Sequence, residues 1–198
     1  KEDKTAAGWV IIDSRGAVAQ YDKGCAGQAD DLVKIWTDKL ATVPEISNAR
    51  ITVLTPDHVC VQADLKFPAV KDSLGDFLRF NLPWEAAGVE GFTPRGIVLN
   101  YPARDLPLVL DHVGTFEVNL QIAYPASWKM ITSPLAEIFK AEGVALQRSV
   151  SSDKSSLRVH ESVNFDNLKV TPQNWNTWRR VVLAAGKANA RTVLLKAE

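Results

Sequence analysis

The sequence has few cysteines, no surplus of charge and no long apolar run, and each absence excludes a class of protein. Its two cysteines, Cys25 and Cys60, are too few for a disulfide framework and are not spaced as a metal-binding pair. Cys25 lies in a glycine-bounded loop and Cys60 on a predicted strand, so a disulfide between them is allowed but not required. We expect no metal-binding residues.

Opposite charges are balanced, because 23 Lys and Arg residues stand against 23 Asp and Glu residues. There is no positive surplus to bind the phosphates of a nucleic acid or an anionic membrane. No apolar run approaches the roughly 20 residues of a membrane helix, and no signal-peptide pattern is present. We therefore expect no nucleic-acid partner and no membrane span. Because the chain begins with Lys1 rather than Met, we expect a processed or truncated piece of a longer protein.

Motifs of the common enzyme classes are missing. There is no Gly-x-Ser-x-Gly motif, no phosphate-binding loop and no dinucleotide fingerprint. The three histidines, His58, His112 and His160, do not form a known metal-ligand pattern. Paired acids such as Asp30 and Asp31 suit a helix start better than a glycosidase site. The sequence therefore predicts no catalytic residues, no cofactor and no metal site.

An alternation of apolar and polar residues with a period of two is the main pattern present, and it is typical of half-buried strands. The clearest example covers residues 116–124 and ends at Pro125, because proline cannot continue a sheet ladder. Residues 59–67 alternate in the same way after a turn, and residues 144–150 face residues 157–165 across a polar tip. These patterns predict antiparallel hairpins.

Two segments have the three- and four-residue apolar spacing of amphipathic helices. The first begins at Asp30 and Asp31 and stops before Pro44. The second follows Thr171 as a cap and has Pro172 at its first position. We expect each helix to bury one face.

Together these elements predict a mainly β protein, an antiparallel β-sandwich with one helix near the N-terminus and one near the C-terminus. Residues 193–195 add a closing strand, and residues 8–21 predict a hairpin with its turn at residues 14–16. We assign residues 1–45 to an N-terminal hairpin-helix segment, either separate or packed as part of one domain. Residues 46–198 form the predicted sandwich domain.

Six tryptophans suggest carbohydrate binding as an alternative function, because flat aromatic rings stack on sugars. Four of them lie on apolar helix faces or in an apolar strand and have core explanations: Trp9, Trp36, Trp175 and Trp178. The other two, Trp84 and Trp128, lie in loop-like contexts where exposure is expected. They are the candidate ligand-binding residues.

A second alternative is a small cysteine hydrolase. His58 and Cys60 lie two residues apart on one strand, so their side chains leave the same face and are able to form a thiolate and base pair. The alternation points both residues away from the core face, and no oxyanion-hole sequence is evident nearby. A polar outer strand face therefore explains the pair better than catalysis does.

The order of short motifs from Gly75 onward adds a family resemblance. The motifs are "GDFLRFNLP", the Arg104 to Pro107 element before "LVL", "FEVNLQIAYP", the pair "ALQRSV" and "SLRVHESVNF", "VTPQNWNTWRRVV" and "TVLLK". In this order they resemble the C-terminal β domain that follows the transglutaminase-like domain in bacterial secreted or periplasmic proteins. The resemblance implies an exported protein whose Cys-His-Asp machinery lies upstream, so no catalytic position transfers to this chain.

We therefore expect a non-catalytic accessory or interaction domain, the C-terminal part of an exported transglutaminase-like or cysteine-peptidase-like protein. Its expected partner is the upstream domain of the same protein, or another protein or a glycan at the cell envelope. The expected location is extracytoplasmic: periplasmic, cell-surface or secreted.

Overall fold

A computed structural model of the protein describes residues 5–17, 19, 28–38, 43–67, 71–72, 75–81, 97–185 and 192–197. Strands dominate these residues and every strand pair is antiparallel, which confirms the predicted mainly β, sandwich-like fold. The helices predicted near the two ends are present as α1 (Ala29–Thr37) and α2 (Pro172–Ala185).

The largest layer is a seven-stranded sheet. In spatial order its strands are β2 (Glu45–Thr55), β3 (His58–Phe67), β1 (Ala6–Gly16), β7 (Gly114–Ala123), β11 (Ser156–Phe165), β10 (Val144–Ser152) and β9 (Leu135–Ala141). Among the strands that the structure describes, β1 joins the hairpin of β2 and β3 to the group of β7, β11, β10 and β9, because it pairs with β3 on one side and β7 on the other.

Two smaller sheets complete the described strands. One has the order β4 (Lys71–Asp72), β5 (Gly75–Asn81), β13 (Thr192–Ala197) and β8 (Trp128–Met130). In the other, β6 (Leu108–Val109) pairs with β12 (Lys169–Val170). The predicted closing strand is therefore confirmed as β13, which lies between β5 and β8.

Every second side chain of the seven-stranded sheet points to an apolar inner face. Along β7 these buried residues are Phe116, Val118, Leu120 and Ile122. They belong to one hydrophobic cluster that also contains buried residues of the four-stranded sheet and of both helices. Burial of this apolar area drives the layers together, at about 25 cal/mol for each Å² removed from water.

The hairpin of β10 and β11 has the register that the alternation predicts. Val150 pairs with Val159, and both side chains are buried. At the tip, the Asp153 carboxylate accepts hydrogen bonds from the backbone N–H groups of Ser155 and Ser156 at 3.0 and 2.8 Å. This local turn holds the register, because a slip of one residue would move every apolar side chain to the opposite face.

Helix α2 begins as predicted. The Thr171 hydroxyl accepts a hydrogen bond from the Asn174 N–H at 3.3 Å, and Pro172 occupies the first helical position, where no N–H is needed. Trp175 and Trp178 are fully buried, and their rings stack with centroids 5.7 Å apart. The two indoles account for most of the buried face that the apolar spacing predicts.

The predicted N-terminal turn at residues 14–16 is wrong, because these residues continue β1. Their backbone groups pair with β3 and β7, which are distant in sequence, and this long-range pairing replaces the local hairpin. Ala17 and Ala19 are helical rather than extended, and residues 18, 20 and 21 lie outside the described residues. Strand β1 thus places residues from both predicted segments, 1–45 and 46–198, in one sheet.

Two charged side chains lie inside the apolar layer. Arg148, on the inner face of β10, has no exposed side-chain area. Its Nε donates to Glu137 of β9 at 2.9 Å, and its Nη2 donates to the carbonyl oxygen of Ala184 in the last turn of α2. Glu161, the residue opposite Arg148 on β11, is also buried. The guanidinium therefore links β10 and β9 to the C-terminal end of α2.

We expect Arg148→Ala to lower the free energy of unfolding by about 3 to 5 kcal/mol, because it leaves the Glu137 carboxylate and a helix carbonyl without their buried cation. Urea denaturation measures the loss. Arg158→Ala is the matched control, since that arginine lies on the neighbouring strand with 66% of its side chain exposed and should cost less than about 0.5 kcal/mol. Equal losses in the two variants would contradict the assignment.

Candidate functional site

The outer face of the seven-stranded sheet carries the histidine and cysteine candidates. Its central positions on β1 are Trp9, Ile11, Asp13 and Arg15, whose alternate neighbours in the strand lie on the inner face. Across the sheet, Asp13 is opposite Cys60 on β3 and Glu117 on β7. Polar side chains from several strands therefore meet on one face.

His58, Asp13 and Arg15 form one hydrogen-bonded group on this face. The Asp13 carboxylate contacts the Nε2 atom of His58 at 3.0 Å and accepts a hydrogen bond from the Arg15 Nε at 2.8 Å. Partial burial raises the pKa of Asp13, but the hydrogen bonds and charges of Arg15 and His58 outweigh it, so the pKa lies below its ordinary value of 3.8. The structure therefore pairs His58 with an acid, Asp13, which is also the residue opposite Cys60.

Cys60 is a free, half-buried thiol, while Cys25 lies outside the described residues. Burial has the largest effect and raises the pKa of Cys60 above its ordinary value; a hydrogen bond with Thr52 lowers this pKa by less, and the negative charge of Asp13 raises it further. A cysteine nucleophile needs the opposite shift, because only the thiolate attacks. His58 and Cys60 therefore lie on the same face of β3, but the pKa of the Cys60 thiol is shifted in the direction opposite to that of a catalytic thiol.

We expect Cys60 to react with iodoacetamide at pH 7 more slowly than free cysteine does, because its thiolate fraction is smaller. The rate should rise as the pH passes the ordinary thiol pKa and continue to rise above it. Mass spectrometry of the alkylated chain measures the rate at this one cysteine. A rate above that of free cysteine at pH 7 would revive the hydrolase hypothesis.

The low pKa of Asp13 also predicts a loss of stability in acid. A group whose folded pKa lies below its unfolded pKa stabilises the fold above the unfolded value, and this contribution disappears as the pH falls through the folded value. Between pH 7 and pH 3 we expect the wild-type free energy of unfolding to fall more than that of Asp13→Asn, by less than about 1 kcal/mol because solvent screens this partly exposed carboxylate. Urea denaturation at the two pH values makes the comparison, and identical pH dependence would contradict it.

A second polar group surrounds His160. Asn119 on β7 donates through Nδ2 to Glu117 at 2.8 Å, and its Oδ1 contacts the Nδ1 atom of His160 on β11 at 2.9 Å. Because the amide oxygen only accepts, the His160 Nδ1 atom is the donor. His112, the third histidine, is exposed outside the strands. Within the described residues, no three His, Cys, Asp or Glu side chains gather as a metal site.

Trp128 does not lie where the carbohydrate hypothesis placed it. The prediction that Trp128 is exposed is wrong: it lies on β8, beside β13, and only 3% of its surface is accessible. Trp84 lies outside the described residues. Trp9, expected in the core, instead points to the outer face of the sheet and is partly exposed.

A different surface shows unusual apolar exposure. Val98, Tyr101 and Leu106, in the segment before β6, are 50%, 67% and 74% exposed. With three neighbours they line a shallow, open pocket of about 300 Å³; the full lining is Val98, Tyr101, Ala103, Arg104, Asp105 and Leu106. We call Val98, Tyr101 and Leu106 the loop surface. Contiguous exposed apolar side chains commonly mark interaction sites.

The backbone beneath the loop surface is held by helix α2. Trp175 donates through its indole N–H to the Tyr101 carbonyl oxygen at 2.9 Å, and Arg179 donates to the Leu99 carbonyl oxygen at 2.9 Å. The guanidinium of Arg104 lies 4.9 Å from the centre of the Trp175 ring, within the range of a cation–π contact. The apolar side chains are thus exposed on a fixed support.

The sequence patterns do not identify the loop surface. The available signal was the presence of large apolar residues in a segment interrupted by Pro102 and Pro107. Whether such residues turn inward or outward depends on α2, which is more than 60 residues away in sequence.

Neither helix in the described part of the chain has the length and apolar character required to cross a bilayer. A model of the family described as a Domain of Unknown Function with solved-structure structure (DUF3858) matches residues 94–195, about half of the chain. No match was found among curated proteins or among solved structures. The matched range includes the loop surface and α2 but not β1, β2 or β3.

Proposed function

We propose, from the premise that this chain belongs to the DUF3858 family, that it is a non-catalytic interaction domain. It forms the C-terminal part of an exported bacterial protein, in which a transglutaminase-like domain lies upstream. The loop surface docks onto that upstream domain and positions it. The location of the protein is extracytoplasmic.

The exposure of the loop surface carries this proposal. Three large apolar side chains face solvent although their backbone is anchored to the buried Trp175. Leaving such side chains in water forgoes roughly 1.5 to 3 kcal/mol for each one, which a docked partner would recover. A fixed backbone also reduces the entropy that docking would otherwise lose.

The electrostatics of the outer face support the non-catalytic part of the proposal. The one described thiol, Cys60, has a raised pKa, and the acid beside it is already bonded to His58 and Arg15. These contacts stabilise the sheet face. They do not supply an activated nucleophile.

The sequence motifs support the upstream partner. The Arg104 to Pro107 element, which contributes to the resemblance to domains that follow a transglutaminase-like domain, contains Leu106 of the loop surface, and its Arg104 and Asp105 line the same pocket. The family match includes this element and helix α2. One of the motifs that carry the resemblance therefore overlaps the exposed surface at Leu106.

The first test is the full gene product. We expect a transglutaminase-like domain with Cys, His and Asp residues upstream of this chain, preceded by an export signal. A gene product without either would overturn the transglutaminase association and the extracytoplasmic location.

The second test measures docking by hydrogen–deuterium exchange. In the full-length protein, the amides of residues 97–109 should exchange more slowly than in this chain alone. Leu106→Asp should restore fast exchange, because a buried carboxylate is costly to desolvate. Ile138→Asp is the matched control, since Ile138 lies on β9 and is 62% exposed, so the same change there should leave the protection intact. Equal exchange in both proteins would contradict the docking surface.

A further inference from the structure

We propose that the outer face of the seven-stranded sheet binds a neutral polysaccharide, with Trp9 as the ring on which a sugar stacks. This site is separate from the loop surface and does not rest on the docking function. It also differs from the carbohydrate site expected at Trp84 and Trp128: Trp128 is buried, and Trp84 lies outside the described residues.

The position of Trp9 is the first support. Trp9 lies at an outward position of β1, the third strand of seven, with Asp64 of β3 on one side and Gln121 of β7 on the other. Its side chain is partly exposed, so one part of the indole contacts the sheet while another faces solvent. A half-buried aromatic ring flanked by an acid and an amide offers a sugar both an apolar surface and hydrogen bonds.

The polar side chains that share the outer face with Trp9 form the second support. The strand registers place amides and hydroxyls on the same outer face of β3, β7, β11 and β10: Gln62, Thr115, Asn119, Gln121, Gln147, Ser149, Ser151, Ser162 and Asn164. Amides and hydroxyls both donate and accept hydrogen bonds, as the hydroxyl groups of a sugar do. Neighbouring strands are about 4.8 Å apart, so these groups form a closely spaced polar array.

The charge of the face supports a neutral ligand. Strands β3, β1, β7 and β11 carry three acidic and three basic side chains on the outer face. The acids are Asp13, Asp64 and Glu117, and the bases are Arg15, Lys66 and Arg158. With neutral histidines their charges cancel. A polyanion such as nucleic acid requires a positive surplus, which these four strands do not provide.

Polar groups on the face hold one another in place by hydrogen bonds. Asn119 is held between Glu117 and His160, and Asp13 is held between His58 and Arg15. Side chains that are fixed before binding lose less conformational entropy when the ligand arrives. We therefore expect these side chains to keep their conformations when a ligand binds.

Affinity electrophoresis of the chain in gels that contain xylan, galactomannan or mixed-linkage β-glucan tests the proposal, with polygalacturonate as the anionic comparison. We expect at least one neutral polysaccharide to retard the wild-type chain more strongly than polygalacturonate does. Trp9→Ala should weaken this binding about tenfold, and Trp9→Tyr should retain most of it. Tyr101→Ala, on the loop surface, is the control and should bind as the wild type does.

Gln121→Ala provides an independent measurement if Trp9→Ala fails to fold by circular dichroism. It removes an amide beside the ring from a partly exposed position and should weaken binding severalfold. Three results would overturn the proposal: no retardation by any neutral polysaccharide, unchanged binding in the folded Trp9 and Gln121 variants, or tighter binding to polygalacturonate. None of them bears on docking by the loop surface, which the exchange experiment on the full-length protein decides.

Discussion

Strand β1 is hydrogen-bonded along its length to β3 on one side and to β7 on the other, and the seven-stranded sheet depends on this double pairing. The approach is close: a Cβ atom at Gly8 would lie 1.8 Å from the Gln121 carbonyl oxygen, so only glycine fits at this point. Without β1 the β2 and β3 hairpin would lose its only described link to the other four strands. The outer face, including Trp9, exists because this strand is central.

The buried side chain of Arg148 connects the seven-stranded sheet to helix α2. Arg148 binds Glu137 within the sheet and the Ala184 carbonyl at the end of α2, so the position of the helix is set by the sheet as well as by its own apolar face. Helix α2 in turn fixes the segment that contains Tyr101, because Trp175 donates a hydrogen bond to the Tyr101 carbonyl oxygen. The loop surface is therefore connected to the centre of the fold by a short series of hydrogen bonds.

The two surfaces differ in chemistry, and neither has the features of an active site. The loop surface is apolar and supported from below, as expected of a protein contact. The outer face is polar, electrically balanced and internally hydrogen-bonded. Its thiol and its acid have pKa shifts in directions that keep Cys60 protonated and Asp13 ionised, which favours a stable network over nucleophilic catalysis.

The sequence by itself determined the features that depend on neighbouring residues. The alternation at residues 116–124 identifies β7, and Thr171 with Pro172 identifies the start of α2, because side-chain period and capping are local properties. Only the tertiary structure decided which face of a strand is buried when both faces carry apolar residues. Trp9 points outward and Trp128 inward because β3 and β7 set the orientation of β1, while β13 lies beside β8, and these pairings join residues far apart in the chain.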